Sequence, residues 1–389
     1  MCGISGFVGG FVPGMGARMN AAQAHRGPDG NGVFEDFAAG VVLAHVRLSV
    51  LDLTAAAAQP MTSASGRFVL VYNGEIYNFK DLREELTGAG VNFRSAGDTE
   101  VLLEGLARHG TAFISRLNGI FAFALWDREE RELFLARDHV GVKPLYYTEP
   151  QPGTMLFASE IKALFAHPQV RREADFAALQ EHLARGHSSG TRTAFKGIQR
   201  LEPGTILRWC AKSRRFEVKT YWQPFSGHCS QSMVQAAAEL REKFKAATQR
   251  QLVSDVPVGL FLSGGLDSSL VTACACGGAG PARHAYTITY PRSENTLDQF
   301  DDDMPFAREM AESLGLPHTQ IEIKPEVATL LPKLIWHCDE PIADPAIIAA
   351  YLISTRARGR HGGDAVGPGR GRAVWRVSAL PGHRRNAVA

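Results

Sequence analysis

Asp255-Val256-Pro257-Val258-Gly259-Leu260-Phe261-Leu262 runs directly into Ser263-Gly264-Gly265-Leu266-Asp267-Ser268-Ser269, and the change of character between the two halves decides the fold around it. The first half is an apolar run of strand length, and the second is a glycine turn that opens into a helix. Glycines let the backbone approach a ligand, and free N–H groups at a helix N-terminus favour an anion, to which Ser263, Ser268 and Ser269 add hydroxyls. The string is neither GxxxxGK[ST] nor a GxGxxG with an acid about 20 residues on. A tight connection remains the plainer reading of the glycines alone. Outward from this turn the pattern alternates: a helix over Val234–Leu252, the strand Val258–Leu262, a helix over Ser268–Ala275, a strand over Ala285–Tyr290, a helix over Pro305–Leu314 and a strand over Thr319–Ile323. Such alternation predicts a parallel, doubly wound α/β sheet.

The first half of the chain reads differently. Short apolar runs (Val41–Ala44, Phe68–Tyr72, Phe121–Trp126, Glu132–Ala136, Met155–Ala158) are separated by Gly and Asp/Asn turns, with helical leucine spacing over Lys80–Gly88 and Thr99–His109. Asp98 stands where an N-cap would. Strands in runs with few helices predict an α+β domain, with the boundary between about Glu202 and Gln235. The 389 residues fit two domains. With 45% hydrophobic and 21% charged residues, collagen-like and wholly disordered readings fall away. No run approaches the length of a membrane helix, and no basic-then-apolar leader opens the chain, so a soluble, cytoplasmic protein is expected, with no membrane partner. The six cysteines (Cys2, Cys210, Cys229, Cys274, Cys276, Cys338) form no CxxC, which argues against structural zinc and a disulfide framework. The net charge of +2 is set by the end of the chain: eight arginines against one acid over 356–389 leave 34 basic and 39 acidic residues before it. A nucleic-acid partner is therefore not implied.

Cys2 follows Met1 and precedes Gly3, so removal of Met1 would leave one residue carrying a thiol and a free α-amine, a nucleophile and a base together. Alone, Cys2 could equally be a small apolar residue. Met1-Cys2-Gly3-Ile4-Ser5-Gly6, His25-Arg26-Gly27-Pro28-Asp29-Gly30, Arg47-Leu48-Ser49, Asn73-Gly74-Glu75-Ile76-Tyr77-Asn78 and Gly97-Asp98-Thr99-Glu100 together resemble the class II glutamine amidotransferase domain, in the order seen in the asparagine synthetases. The resemblance implies an α+β N-terminal nucleophile fold, an αββα sandwich, over residues 2–210, followed by a linker over 211–233 and a Rossmann-like α/β pyrophosphate-loop domain over 234–358 that is incomplete at its C-terminus. It implies that Cys2 attacks the glutamine side-chain amide, that Asn73 and the Gly74 N–H form the oxyanion hole, that Arg47 pairs with the α-carboxylate, and that Glu75 and Asp98 receive the α-ammonium. Each has a plainer alternative: Asn73-Gly74 as a type I′ hairpin turn, Asp98 as a cap, Arg47 as a surface ion pair, and His25 as a satisfied loop histidine.

The SGGLDSS string resembles the loop of ATP enzymes that release AMP and pyrophosphate. ATP would meet Leu262, Ser263, Gly264, Gly265, Asp267, Ser268 and Ser269, with Asp267 helping to hold Mg²⁺. Asp339-Glu340-Pro341-Ile342-Ala343-Asp344-Pro345 resembles the segment shaping the acceptor side of that site, the alternative being a solvated turn. Arg137–Tyr147 and Phe157–Lys162 also match, as packing of the first domain on the second. The implied reaction is amidation of aspartate by ammonia from glutamine, at the cost of ATP; the implied partners are those small molecules, and a homo-oligomer is left open. A glutaminase serving a sugar-phosphate or phosphoribosyl acceptor would leave SGGLDSS unexplained. Amidation of another carboxylate, in natural-product or cell-surface polymer synthesis, and a non-catalytic fragment remain as alternatives.

The resemblance is expected to stop near residue 355, and 359–389 reads as an aberrant, basic, Gly/Arg-rich and disordered tail. Family members continue with a second glycine loop, Ser-Gly-x-Gly-Gly-Asp-Glu-Leu-Phe-Gly-Gly-Tyr. Back-translated from the second base of each codon, Val366–Val377 permits that string, apart from an acid at x, so a frameshift near residue 358 is expected. On that reading the chain retains glutaminase activity alone.

Overall fold

The computed structural model describes residues 1–10, 12–224, 227, 230–277, 283–289, 303–322, 327–360 and 374–376. Two compact units result, Met1–Ser226 with Ile335–Ala343, and Gly227–Leu334 with Asp344–Ala389. The expectation of a disordered tail falls largely outside the described residues.

In the first unit the strands are β1 (Gly3–Val8), β2 (Gly30–Asp36), β3 (Val41–Arg47), β4 (Met61–Thr62), β5 (Phe68–Ile76), β6 (Gly119–Asp127), β7 (Glu132–Arg137), β8 (Tyr146–Gln151), β9 (Thr154–Ala158), β10 (Ile198–Arg200), β11 (Thr205–Cys210) and β12 (Arg215–Thr220). The helices are α1 (Met15–Ala22), α2 (Phe79–Gly88), α3 (Asp98–His109), α4 (Ile161–Leu164) and α5 (Phe176–Arg185). Among the described residues the strands form two antiparallel sheets, ordered β10-β8-β9-β1-β3-β2 and β12-β11-β7-β6-β5-β4. Side chains alternate across a strand, and the residues obey it. Ile4 and Val8, Val41 and Leu43, and Val69 and Val71 share the core between the sheets with Ala122, Ala124 and Trp126. Phe7 and Val42 point the other way and pack with Met15, Met19 and Ile161 of α1 and α4. On the second sheet α3 lies against β5 and α2 against α3. The layers are thus helix, sheet, sheet, helix, the αββα sandwich that the resemblance implies.

Three local expectations are corrected. Asn73-Gly74 is no hairpin turn: β5 runs through it, with Asn73 opposite Ala122 and Gly74 opposite Phe121. Gly97, not Asp98, takes the N-cap position of α3, and Asp98 is its first helical residue. The expected linker over 211–233 is partly structured, because β12 pairs with β11 from Thr205↔Thr220 to Cys210↔Arg215 and extends the first unit's sheet.

The second unit contains α6 (Met233–Arg250), β13 (Val258–Phe261), α7 (Leu266–Cys276), β14 (His284–Thr289), α8 (Met304–Ser313), β15 (His318–Glu322), α9 (Val327–Cys338) up to Leu334, its remaining residues being counted with the first unit, α10 (Ala346–Arg360) and β16 (Val374–Arg376). The order is β15-β14-β13-β16, and every recorded pair is parallel. Leu262 and Ala285 pack with Ala307 and Ala311 of α8, and Tyr286 and Ile321 with Ile353 of α10. β16 corrects the expectation for 374–376: the free edge of β13 offers unpaired backbone groups, and these three residues add to it.

Trp126 is fully buried between the sheets of the first unit. Trp126→Ala should cost about 3–5 kcal/mol, read by urea unfolding of the first unit's transition; a loss under about 1 kcal/mol would contradict its place in the core.

Candidate active site

β1 lies inside its sheet, between β3 and β9. Gly3 is opposite Val46, so one further step of the register brings Cys2 alongside Arg47. Alternation puts Cys2 on the same face as Ile4, Arg47 on the face of Leu43, and Asn73 and Glu75 on the face of Val71, and all three reference residues belong to the core between the sheets. Cys2, Arg47, Asn73 and Glu75 thus point into the space between the two sheets, where β1 and β3 both lie against β5.

Cys2 is half-buried. Its Sγ accepts from the Leu48 N–H at 3.3 Å and lies 3.5 Å from the Leu48 carbonyl. Its own carbonyl accepts from Arg26 Nε at 2.8 Å. The α-amine of Met1, next along the chain, is pushed down to about 5, first by desolvation and then by the charges of Arg26 and Lys143, while Cys2 opposes the shift. The Met1 nitrogen is therefore neutral at pH 7.

Asn73 is 1% exposed, yet its Nδ2 has no hydrogen-bond partner. Such an orphan costs about 1–3 kcal/mol, so it is a donor awaiting an acceptor. Gly74 supplies a second donor. The N–H and carbonyl of Phe121, its cross-strand neighbour, are engaged by Asp138 Oδ2 at 3.2 Å and the Asp138 N–H at 2.8 Å. The amide of Gly74 therefore faces away from β6. It shares that edge with the N–H groups of Tyr72 and Ile76, which donate to Gln59 Oε1 at 2.6 Å and Asp98 Oδ2 at 2.9 Å. A Cβ on Gly74 would lie 2.4 Å from the Ile120 carbonyl, which explains the glycine.

Arg47 is held by carbonyls: Nη1 donates to Thr54 at 2.8 Å and Nη2 to Asp52. Asp52, in the left-handed region at φ 51, organises that loop, accepting from the Thr54 N–H at 3.1 Å and from the Ala96 N–H at 2.7 Å. Asp98 is 5% exposed and takes the Tyr72 hydroxyl at 2.8 Å; burial pushes its carboxyl pKa up against these donors. Glu75 is half-buried two residues beyond Asn73. His45, buried on β3, donates from Nε2 to the Tyr72 carbonyl at 3.2 Å, and desolvation lowers its pKa to about 3, so it is neutral. Arg26, His45, Asp52, Gln59 and Tyr72 escaped selection as site residues. Arg26 had a signal in the His25-Arg26-Gly27-Pro28-Asp29 string, whereas the others, apart from the bonds of Asp52 to Thr54 and Arg47, act through partners 13 to 44 residues away.

His25 Nε2 lies 3.0 Å from a Glu160 oxygen. Arg137 spends its guanidinium on the carbonyls of Lys143, Leu201 and Gly141 at 2.7, 2.6 and 2.7 Å, and Asp138 takes the N–H groups of Val140, Val142 and Lys143. This loop is a knot within the first unit, and the two segments expected to pack on the second domain do meet residues 339 and 340 of it, Tyr146 Oη lying 3.5 Å from Glu340 and the Ile161 N–H donating to Asp339 at 2.7 Å; residues 335–343 are counted in this same compact unit. Asp339 and Glu340, expected as a solvated turn or as an acceptor wall, form ion pairs with Lys162 at 2.9 Å and Arg200 at 2.9 Å.

In the second unit the predicted glycine turn is present. Gly264 has φ +87, and a Cβ there would lie 2.2 Å from the Asp303 carbonyl. Gly265 is the N-cap residue of α7, Asp267 lies in its first turn, and Leu262 is buried beneath. Ser263 and Ser268 share a 2.9 Å hydroxyl contact, Ser268 Oγ accepts from the Ser263 N–H at 3.2 Å, and Ser263 Oγ from the Gly265 N–H at 3.4 Å. Hydroxyls thus hold the turn open at a helix N-terminus, and Ser269 sits in the first turn of that helix. This donor set fits phosphate oxygens. For a divalent cation the turn offers the single carboxylate of Asp267; no group of three or more His, Cys, Asp or Glu residues suited to a metal occurs among the described residues. Nor is any helix among them long and apolar enough to cross a membrane.

Residues 1–222 match the family model of the glutamine amidotransferase domain, and residues 239–370 that of asparagine synthase. The second match passes the expected end near 355 and includes Gly362-Gly363-Asp364, so the resemblance extends further than its motifs suggested. The glutamine-hydrolysing asparagine synthetase 3 of Bacillus subtilis is 36% identical over 375 residues, covering 87% of this chain and 60% of that protein. A putative glutamine-hydrolysing asparagine synthetase of Mycobacterium bovis is 33% identical over 386 residues, covering 92% and 57%. The amidase chyE of Penicillium rubens is 32% identical, covering 88% and 54%. The chain thus spans somewhat over half the length of these relatives.

In a preparation that retains Met1, the α-amine should titrate near 5 instead of the usual 7.7–8.0. Because that proton is bound in the unfolded chain and lost on folding between those values, the group's contribution to stability should rise with pH through that window. Titration by NMR of the reductively ¹³C-methylated terminus checks this; an ordinary value would show the amine to be solvated.

Proposed function

The chain belongs to the glutamine amidotransferase family, and from that premise we propose that Cys2 hydrolyses glutamine and that the segment behind it is built for ATP-dependent amidation of a carboxylate, aspartate first among them. The observation that carries the first half is the unpartnered, buried Asn73 amide beside the outward N–H of Gly74, on the face that β1 and Cys2 share. Once Met1 is removed, the freed amine takes the thiol proton and the sulfur bonds to the amide carbon. The oxygen becomes negative between Asn73 Nδ2 and the Gly74 N–H, donors that need no reorganisation as charge develops. Collapse breaks the C–N bond, the amine's proton goes to the departing nitrogen, and ammonia leaves a thioester. Water then adds, returning the thiol and releasing glutamate. Arg47 takes the α-carboxylate, while Glu75 and Asp98 take the α-ammonium.

The second half rests on the turn at 262–269. ATP would lay its phosphates against Ser263, Gly264, Gly265, Ser268 and Ser269, where the hydroxyls and the end of α7 favour negative charge. Mg²⁺ would be held by Asp267 together with phosphate oxygens and water, as suits an ion that takes few protein ligands. Bound nucleotide supplies the activation of the carboxylate, with AMP and pyrophosphate as products. A cytoplasmic location accords with a reaction that consumes ATP. Amidation of a different carboxylate is the second reading, favoured by the likeness to the Penicillium rubens amidase.

We propose also that the basic tail arises from a shift of reading frame near residue 358. The in-frame match as far as residue 370 competes with that reading, and sequencing the DNA decides it: an uninterrupted frame overturns the proposal.

Cys2→Ala, or an uncleaved tag ahead of Cys2, should reduce glutamate release from glutamine by more than about 10³-fold. Glutamate release at the parent rate from the tagged chain would end the N-terminal nucleophile reading. Asp267→Asn should leave that rate within about 2-fold while weakening Mg-dependent ATP binding by about 10-fold or more; unchanged nucleotide affinity at saturating Mg²⁺ would remove Asp267 from the site. A screen of carboxylate acceptors with pyrophosphate release as signal separates aspartate from other acceptors.

A further inference from the structure

The turn between β9 and α4, residues 158–162, is gripped from two sides. Toward the nucleophile, the Ser159 N–H donates to the Ile4 carbonyl at 2.8 Å and Ser159 Oγ accepts from the Ile4 N–H at 3.0 Å. Glu160, 6% exposed, accepts from Arg26 Nη1 at 3.0 Å, and the Nε of the same guanidinium donates to the Cys2 carbonyl at 2.8 Å. One planar, rigid group therefore joins the Glu160 carboxylate to the backbone of the nucleophile. On the other side stands Asp339, in a segment (335–343) that belongs to this same compact unit. Glu160 occupies the N-cap position of α4 without making a side-chain cap. Asp339 does it instead, accepting from the Ile161 N–H at 2.7 Å through Oδ2 and from Lys162 Nζ at 2.9 Å through Oδ1. Lys162 Nζ also donates to Glu160 at 2.6 Å, and Trp336 covers it, with its ring centroid 4.8 Å from Nζ.

We propose that Lys162 and Asp339 are positioning residues for Cys2, acting through Glu160 and Arg26, so that a residue far beyond the matched glutaminase segment sets the geometry of the nucleophile. The proposal deepens the glutaminase reading and rests on it for its kinetic test. Two carboxylates and two permanent cations alternate in the ladder Asp339, Lys162, Glu160, Arg26, with His25 as a further partner of Glu160. Despite burial, the Glu160 carboxyl is held down to about 2 by His25, Arg26 and Lys162, so it is an anion at neutral pH. Removing one cation leaves a buried carboxylate short of a partner, which costs several kcal/mol unless the group moves. The partners that remain are Arg26 and His25, and Arg26 cannot follow the carboxylate without shifting the Cys2 carbonyl. A displacement of about 1 Å at a reacting group can cost ~10²-fold in rate. The segment is anchored separately by Glu340, which takes Arg200 at 2.9 Å and the Ala194 N–H at 2.9 Å, so loss of the Asp339 charge need not release it.

The test uses the full chain with Met1 removed, as parent, Lys162→Met, Lys162→Arg and Asp339→Asn. Two rates are read: kcat and KM for glutamate release, and iodoacetamide alkylation of Cys2, followed on the N-terminal peptide by mass spectrometry. In Lys162→Met and Asp339→Asn, kcat should fall by about 10-fold with KM within about 2-fold, and the alkylation rate should fall with it; Lys162→Arg should recover most of both. Asp339→Asn is isosteric and keeps an acceptor for the Ile161 N–H, so it remains informative if Lys162→Met does not fold. Folded variants with the parent's kcat and alkylation rate overturn the proposal, as does a rise in KM alone, which would place the effect on glutamine binding. A parent chain inactive toward glutamine would count against the glutaminase reading, while the alkylation rates would still decide this one.

Discussion

A chain terminus is ordinarily the least constrained part of a fold, and this one is held on both sides. β1 is paired with β3 over six residues and with β9 over four, and its inner face is buried between two sheets. Everything else at the candidate site depends on that confinement. Because the strand begins at Gly3, the residue before it is fixed in register beside Arg47 and on the face that meets β5. The glycines around it permit the closeness: a Cβ at Gly3 would lie 2.9 Å from Gln23 and Val46, and one at Gly27 would meet the backbone of Val46 at 2.2 Å.

The same confinement explains why hydrogen bonding is so uneven there. Strand β5 has both neighbours' demands settled by its register: Asn73 faces Ala122 in the ladder, while Tyr72, Gly74 and Ile76 turn their amides outward. Gln59 and Asp98 answer two of those three, and the Tyr72 hydroxyl joins the second. What is left over is the Asn73 side-chain amide and the amide of Gly74, side by side. Other buried donors also go without a partner, among them Arg83 Nε, Trp126 Nε1 and Trp209 Nε1, but at Asn73 the unpartnered donor has a second, outward N–H next to it along the strand.

How much of this was legible in the sequence follows from distance along the chain. The strands at 41–47, 68–76, 119–127, 132–137 and 154–158 and the helices at 79–88 and 98–109 showed in periodicity, because alternation and leucine spacing are local. The alternation of the second unit showed for the same reason. Asn73-Gly74 was ambiguous because its turn propensity is local, whereas the pairing with β6 that overrides it is some 50 residues away. Asp98 read as a cap because acid before a helix usually is one; its actual partners, Tyr72 and Ile76, belong to another strand. Strand β12 was missed because its apolar alternation is only two residues long: Phe216 packs on the core, while Val218 remains exposed among polar neighbours on the sheet edge. The motifs named Cys2, Arg47, Asn73, Gly74, Glu75 and Asp98 as a set, and Cys2, Arg47, Asn73 and Glu75 point into the space between the two sheets. The motifs also named Asp138 and Asp339, but the roles of these two and of Asp52 were beyond reach because each works by accepting backbone N–H groups, which leaves no spacing rule.

Those aspartates share a logic that reaches the first residues of the chain. Asp138 gathers the N–H groups of Val140, Val142 and Lys143 and, with Arg137 on the carbonyls of the same loop, places the buried Lys143 so that its Nζ lies 3.3 Å from Met1 Sδ. Glu160, in its own turn, places Arg26 on the Cys2 carbonyl. Two cations from separate turns thus converge on the terminus, each fixed by a carboxylate that faces away from it. If those carboxylates faced the amine instead, they would favour its protonated form. By spending them on guanidinium, ammonium and backbone donors, the fold lets Arg26 and Lys143 act together with burial in favouring the neutral Met1 amine, against the opposing charges of Cys2 and Asp29. The basicity of the Met1 amine is therefore tuned first by burial and then by cations at residues 26 and 143 that distant turns hold in place, and not by the terminal dipeptide alone.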